Sequence, residues 1–455
     1  MLQRTPASWN QRLSSASSVS RAQLVSIAWP IILSNLSTPL LGLVDTAVIG
    51  NLGNAALIGA IAVGGMIFSF LYWGFGFLRM GTTGLVAQSM GASQPNQAKA
   101  TFYRALLLGT SIGMLLLLAQ SPLLALALSL IDGSQAVESA ALSYCQIRIW
   151  GAPISLAYLA VMGYLLGIQQ TRALLALQLI LTGTNIVLDL LFVVVLDWGV
   201  PGVAAATLLA EILAMAAGLL LVRRHLRRQG VSLRVSWQDL LDYRALKRML
   251  IVNRDIMLRT LCLIFAFAWF TNEGAKSGDV ILATNAILMQ FVAFSAFFLD
   301  GFALATETMI GKATGRQNAD EINQVLVFSA ELGFSTALVL AATFWLSGSA
   351  IITMLTNAEA VRSSCEIYWL WAVFAPPVSV ACYLLDGAFI GATRTAEMRN
   401  AMILSLLLYL LAWWCFQGLA NHGLWLALYI YFVARAVSLA IYLPRLKLFT
   451  GTAWR

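Results

Sequence analysis

The sequence predicts an all-α membrane protein, with twelve transmembrane helices in two six-helix bundles related by a pseudo-twofold axis normal to the membrane. Three observations predict it. Of the 455 residues, 60% are hydrophobic and 11% charged, and the mean hydropathy is +0.81, far outside the composition of water-soluble domains. The apolar residues come in runs of about 20, the length at which a helix crosses a hydrocarbon core, and not in the short alternating segments of a membrane barrel. The chain also matches itself at a constant offset of 224 residues.

The runs place spans at residues 26–50, 57–84, 105–130, 139–167, 174–196, 202–222, 250–272, 280–310, 324–346, 364–391, 401–419 and 424–443. The first 24 residues carry Arg4, Arg12 and Arg21 among many serines and lack the apolar core of a cleaved signal peptide. The first span is therefore expected to act as its own uncleaved insertion signal. Lys and Arg are retained on the cytoplasmic side of short loops. With a cytoplasmic N-terminus, that side collects Lys99, Arg172, Lys312, Arg316, Arg394, Arg399, Arg445 and the basic 223–248 segment, and leaves only Lys276 and Arg362 outside. An even number of spans then puts both termini inside. The net charge of +8 reads as this topology signal, and no nucleic-acid partner is expected.

Residues 223–249 form the longest polar stretch between spans and divide the chain. The expected organisation is a tail at 1–25, an N-lobe at 26–222, the linker at 223–249, a C-lobe at 250–446 and a tail at 447–455. At the 224-residue offset Gly91 meets Gly315, Gly109 meets Gly333, Tyr144 meets Tyr368, Pro153 meets Pro377, Gly163 meets Gly387 and Gly167 meets Gly391, with no gap. Six spans per half insert both halves in the same direction, which leaves a central cleft suited to alternating access. Pro153, Pro376 and Pro377 fall at equivalent places and predict kinks.

Cys145, Cys262, Cys365, Cys382 and Cys415 all lie within spans and show no metal-ligand spacing. His225 and His422 are placed in loops on opposite sides. No metal site, cofactor or catalytic residue is expected, and an intramembrane hydrolase is disfavoured for want of a nucleophile with a base.

The first half contains WPIILSNLSTPLLGLVDTAVIG at 29–50 and TGTNIVLDLLFV at 182–193. LVAQSMGAS and MIGKATGRQ recur in the two halves, as do MGYLLGIQQTR and DGAFIGATRTAEMRN. In this order the motifs resemble the multidrug and toxic compound extrusion (MATE) family, most closely its bacterial DNA-damage-inducible-protein-F-like (DinF-like) branch, over nearly the whole chain. The resemblance implies a V-shaped pair of lobes in the bacterial inner membrane. It also implies export of organic, often cationic or amphiphilic, compounds in exchange for protons or sodium ions. Carried onto this sequence, the proton-coupling positions are Asp45, Asn185, Asp189 and Thr207, with Pro30 as the bend of the first span. A polar amide of the relatives is replaced near Tyr158 by a phenol.

The residues lead to the same site independently. Asp45, Asp189 and Thr207 sit at similar depth in the outer half of their spans, and Asn185 and Asp189, four apart, share a helix face. Carboxylates in the hydrocarbon zone are expensive and mark functional positions by default. At the repeat offset the four become Trp269, Tyr409, Trp413 and Tyr431, so the first lobe is expected to handle ions while the second presents an aromatic wall able to stack on flat cations.

Other charges are weighed less heavily. Asp255 with Arg259 is read as an i, i+4 pair, and Glu211 and Arg435, repeat equivalents, as structural. Asp300, Glu307 and Asp386 could form a competing oxygen-rich cation or substrate site. Arg79, Arg254, Arg394 and Arg399 are expected to snorkel at the inner interface. The reading is a monomeric, proton-coupled antiporter exporting small amphiphilic organic substrates across the lipid bilayer, with protonation of Asp45 or Asp189 bending the first span at Pro30. Two alternatives stay open: a sodium-coupled exporter using the C-lobe carboxylates, and a lipid-linked-sugar flippase, which a cationic cavity would favour.

Overall fold

A computed structural model describes residues 19–50, 55–129 and 134–447. Its helices are α1 Arg21–Gly50, α2 Ala55–Gly74, α3 Phe77–Gly91, α4 Pro95–Leu118, α5 Gln120–Ser129, α6 Gln135–Arg148, α7 Ala152–Gly167, α8 Thr171–Asp189 and α9 Gly199–Arg228 in the first half. The second half has α10 Trp237–Leu240, α11 Tyr243–Lys276, α12 Asp279–Gly315, α13 Ala319–Leu355, α14 Glu359–Gly391, α15 Thr395–Cys415 and α16 Ala420–Leu446. Backbone groups in hydrocarbon must be satisfied within the segment, which is why apolar runs of this length become helices. Among the described residues, ten helical stretches are long and apolar enough to cross a membrane. Helices α1 and α11 pack among them to complete the twelve-helix layout.

Three expected spans are segmented. The second breaks at Phe75–Gly76 between α2 and α3, and the third at Ala119 between α4 and α5. The fourth passes through a tight turn, Ile149–Gly151, just before Pro153. In the second half the corresponding helix α14 runs unbroken through Pro376 and Pro377. His225 and His422, expected in loops, lie inside α9 and α16.

The repeat holds down to individual contacts. Helices α3 and α4 both pack on α7, as α12 and α13 pack on α14, and α8 packs on α1 and α9 as α15 does on α11 and α16. A Cβ at Gly163 would strike the carbonyl of Arg79, and one at Gly387 would strike that of Ala303, the residue 224 positions after Arg79. Left-handed backbone recurs at the same offset, at Ser93 (φ 59°) and Gln317 (φ 56°) and at Gln169 (φ 63°) and Thr393 (φ 53°). These residues end helices at the face where the linker lies.

Core packing shows where the lobes meet. One continuous core at the linker end joins α1, α3 and α7 to α12 and α14, through residues such as Leu24, Val86 and Leu166 with Ala305, Ile310 and Phe389. At the opposite end each lobe has its own core, around Phe68, Tyr144 and Val203 in one and Phe270, Trp425 and Tyr431 in the other. The cleft therefore widens away from the linker. Its closed end is stitched by Gln88 of α3, whose amide donates to Gly391 O at 2.9 Å and Thr393 Oγ1 at 3.0 Å. Arg248 of α11 donates to Gln88 Oε1 at 2.8 Å and to Thr393 Oγ1 at 3.2 Å. The linker is held to α4 by Lys99, which donates to the carbonyls of Ser232 and Arg234, and by Arg104, which donates to those of Asp239 and Leu240.

Candidate functional site

The first cluster lies in the N-lobe. Helix α1 brings Asp45 and α8 brings Asn185 and Asp189, both buried and one turn apart on the same face. Helix α9 brings Thr207. The Asn185 amide donates to Thr207 Oγ1 at 3.2 Å, and that hydroxyl donates to Val203 O at 2.9 Å. The Asp45 and Asp189 carboxyl groups adjoin, yet Asp45 Oδ1, both Asp189 oxygens and Asn185 Oδ1 have no hydrogen-bond partner. Adjacent carboxylates without a donor repel when both are charged, and an apolar interior does little to screen them. The chain widens immediately afterwards: Leu190–Val195 forms a π-helical turn, a rare feature that often marks functional sites. Nothing in the sequence announced it.

Helix α1 remains helical across Pro30 and also across Pro39, which the sequence reading did not single out. Ser37 and Thr38 donate their hydroxyls back to Ser34 O at 2.7 Å and 3.3 Å, local bonds that often accompany helix bending. Tyr158 is buried on α7 with its phenolic oxygen unpartnered.

Sequence reasoning missed Arg148. It stands at the end of α6, buried, and grips Glu211 of α9 with Nη1 to Oε2 at 3.0 Å and Nη2 to Oε1 at 3.1 Å. Ser155 Oγ donates to Glu211 Oε2 at 2.6 Å, and the guanidinium lies over the Phe68 ring, 5.2 Å from its centroid. Glu211 is one turn beyond Thr207 on the same helix. A lone arginine inside a run long enough to span was the available signal.

The C-lobe counterparts of the four polar residues also meet. Trp269 and Trp413 sit edge to face at 5.1 Å, and Tyr409 and Tyr431 lie 5.7 Å apart, centroid to centroid. What polar side chains join in one lobe, aromatic packing joins in the other.

A second site is a cavity of about 390 Å³ between the lobes, lined by Trp73, Met80, Phe267, Met289, Phe297 and Tyr383 together with Arg79, Arg259, Asp300, Glu307, Asp386 and Arg435. Three expectations change here. Arg79, expected to snorkel at the inner interface, lines this cavity. Arg259 does not pair with Asp255; it and Arg435 both donate to Asp386 Oδ2, the latter at 2.6 Å. Asp255 lies at the linker end instead, bound by Arg254 at 2.9 Å and Arg399 at 2.7 Å, so those two arginines are ion-paired. Asp300 and Glu307 line the cavity beside Arg79, and Glu307 Oε1 has no partner. Among the described residues no group of His, Cys, Asp and Glu is arranged to hold a metal.

Comparison with known proteins fits this geometry. A family profile described as MatE matches residues 30–191 and 256–414, one stretch in each lobe. The chain is 42% identical to the DNA damage-inducible protein F of Escherichia coli (strain K12), over 91% of this chain and 90% of that one. It is 23% identical to a probable multidrug resistance protein NorM of Acinetobacter baylyi, over 74% of this chain and 76% of the other. In fold it matches the Vibrio cholerae MATE transporter VcmN in its bent form with a TM-score of 0.84, at 20% identity, covering 94% and 97% of the two chains. The chain is thus a multi-pass membrane protein that belongs to the MatE family of multidrug efflux transporters.

Proposed function

We propose that this chain is a proton-coupled antiporter, not an enzyme, that exports amphiphilic, cationic organic compounds by alternating access. Asp45 and Asp189 exchange the proton, and α1 bends at Pro30 as their charge changes. The observation that carries the proposal is the Asp45–Asp189 pair, two buried carboxyl groups side by side of whose four oxygens Asp45 Oδ1 and both of Asp189 have no hydrogen-bond partner. A shared proton hydrogen-bonds such a pair and removes the repulsion between two like charges, leaving one negative charge in hydrocarbon instead of two. Loss or gain of that proton changes which helices α1 prefers to touch, and Pro30, lacking a backbone donor, supplies the joint.

The inter-lobe cavity is the cargo site in this reading. Its aromatic and methionine lining adapts to flat apolar ligands, and Asp300 and Glu307 offer carboxylates to a cation. Two features support protons over sodium and an amphiphilic cation over an anionic lipid. Asp386 is already taken by two arginines, and the cavity's three arginines are matched by three acids. The orientation that belongs to the proposal has both termini cytoplasmic in the bacterial inner membrane and the cleft open outward, in a monomer.

The test is dye efflux into inverted membrane vesicles with the proton and sodium gradients collapsed separately. The proposal expects efflux to stop with the proton gradient and to ignore sodium. Efflux sustained by sodium alone overturns it.

A further inference from the structure

We infer that Arg148 is a positioning residue for the acid pair, a counter-cation shared between Glu211 and Asp45. The inference rests on the proposal that Asp45 and Asp189 exchange the proton. In the present arrangement Arg148 spends Nη1 and Nη2 on Glu211, which leaves Nε buried without an acceptor. Close by, Asp45 Oδ1 and both Asp189 oxygens are buried without a donor. Val48, three residues after Asp45 in α1, shares a buried core with Tyr144, one turn before Arg148 in α6, which brings the two charged groups into one neighbourhood. An unmet donor and unmet acceptors are each costly in a low-dielectric interior, and a turn of the guanidinium toward α1 would relieve both.

Glu211 tolerates that rotation. Ser155 Oγ still donates to Glu211 Oε2 at 2.6 Å, so the glutamate keeps a partner when Arg148 turns toward α1. The groups around the two ends are few. Facing Asp45 are Asp189 from α8 and Arg148 and Tyr144 from α6; facing Arg148 are Glu211 from α9, Tyr72 from α2 and Tyr144 and Cys145 of its own helix. Helices α12 and α13 meet α1 elsewhere, at Asn35 with Phe297 and at Arg21 with Glu331.

The repeat separates this role from general fold stabilisation. At the positions 224 residues on, Ala372 stands for Arg148, Arg435 for Glu211 and Trp269 for Asp45. A same-fold lobe is thus built without the Arg–Glu pair, and the pair occurs in the lobe that holds the acids. Two charge states follow. With the acid pair protonated, Arg148 belongs to Glu211. With Asp45 ionised, Arg148 bridges Asp45 and Glu211, so the two carboxylates share one cation inside the lobe.

A melting cycle on the purified, detergent-solubilised chain tests this without transport. Glu211→Gln alone is expected to lower the melting temperature slightly, because Asp45 takes over the guanidinium. Glu211→Gln combined with Asp45→Asn is expected to lose clearly more than the sum of the two single losses, since Arg148 then has no anion. Additive losses overturn the inference. The second measurement uses Arg148→Met with Glu211→Gln, which removes both charges together and avoids stranding either one. Without the cation, the internal pH for half-maximal efflux is expected to move about one unit alkaline; an unmoved profile also overturns the inference. The proton reading fails on a different result, pH-driven efflux by Asp45→Asn, and the melting cycle still decides on Arg148 in that case.

Discussion

The Asn185 amide donates to Thr207 Oγ1 at 3.2 Å, and the repeat equivalents of these residues, Tyr409 and Tyr431, pack ring against ring at 5.7 Å. One helix pair, α8 with α9 or α15 with α16, is thus joined by polar side chains in one lobe and by aromatic rings in the other. The same scaffold position is free to carry chemistry in only one copy.

That asymmetry makes the acid pair the first target. Asp45→Asn and Asp189→Asn are each expected to abolish pH-gradient-driven efflux from vesicles while leaving expression and monodisperse purification intact. An amide fills nearly the same volume as a carboxyl and removes a buried acid, so folding has little to lose. Full efflux by Asp45→Asn at an unchanged gradient would move the coupling role to Asp300 and Glu307.

The C-lobe ion triad calls for the opposite result. Asp386 accepts from both Arg259 and Arg435, all three being buried. Asp386→Asn leaves two guanidinium groups without an anion, a change that costs about 3–5 kcal/mol when one partner of a buried pair is removed. The expected outcome is a marked drop in thermal stability in detergent, in contrast to the near-normal melting of Asp189→Asn. Unchanged melting would show that Asp386 is dispensable to packing.

The architecture was open to sequence reasoning because hydrocarbon imposes it. Span length, the positive linker and the 224-residue register all follow from bilayer thickness and helix geometry, and α1 to α16 keep that order. Asp45 and Asp189 were legible because carboxylates in apolar runs stand out, and Asn185 because it lies one turn from Asp189 on the same helix. What was not legible is which charge meets which. Asp255 and Arg259 are four apart and were read as a pair, but the packing of α11 against α15 and α16 leaves Arg259 to reach Asp386 of α14, while Arg399 of α15 reaches Asp255. Local spacing carries about 0.2–0.5 kcal/mol for such a pair on an isolated helix, too little to resist a buried partner from another helix. The π-helical turn after Asp189 and the grip of Arg148 on Glu211 are likewise products of tertiary packing.

The closed end of the cleft offers a prediction on access. Gln88 bonds Gly391 O and Thr393 Oγ1 across the lobes and accepts from Arg248, and Gly315 lies so close to Gln88 O that no side chain fits between them. Gln88→Leu removes the amide contacts, each worth about 1 kcal/mol net. Amide hydrogen exchange in the turn around Thr393 is expected to speed about tenfold, as that turn opens more often. Gly315→Leu is expected to do the same by wedging the lobes apart. Unaltered exchange in both variants would mean that the linker-end closure does not depend on these contacts.

Energetics set the last prediction. Moving one elementary charge through 100 mV is worth about 2.3 kcal/mol, and a tenfold proton gradient about 1.4 kcal/mol per proton. If Asp45 and Asp189 share a single exchangeable proton, each cycle trades one proton inward for one monovalent cation outward, and no net charge crosses. Voltage then contributes nothing, however large it is, and the pH gradient supplies the whole driving force. Vesicles preset with a pH gradient and clamped to zero potential are expected to export a monovalent cationic dye at full rate, and vesicles with potential alone are expected to export none. Pro30→Ala should slow the first case without creating the second, since it stiffens the joint in α1 and leaves the stoichiometry unchanged. Export driven by potential alone would require two protons per dye, and with it independent titration of Asp45 and Asp189.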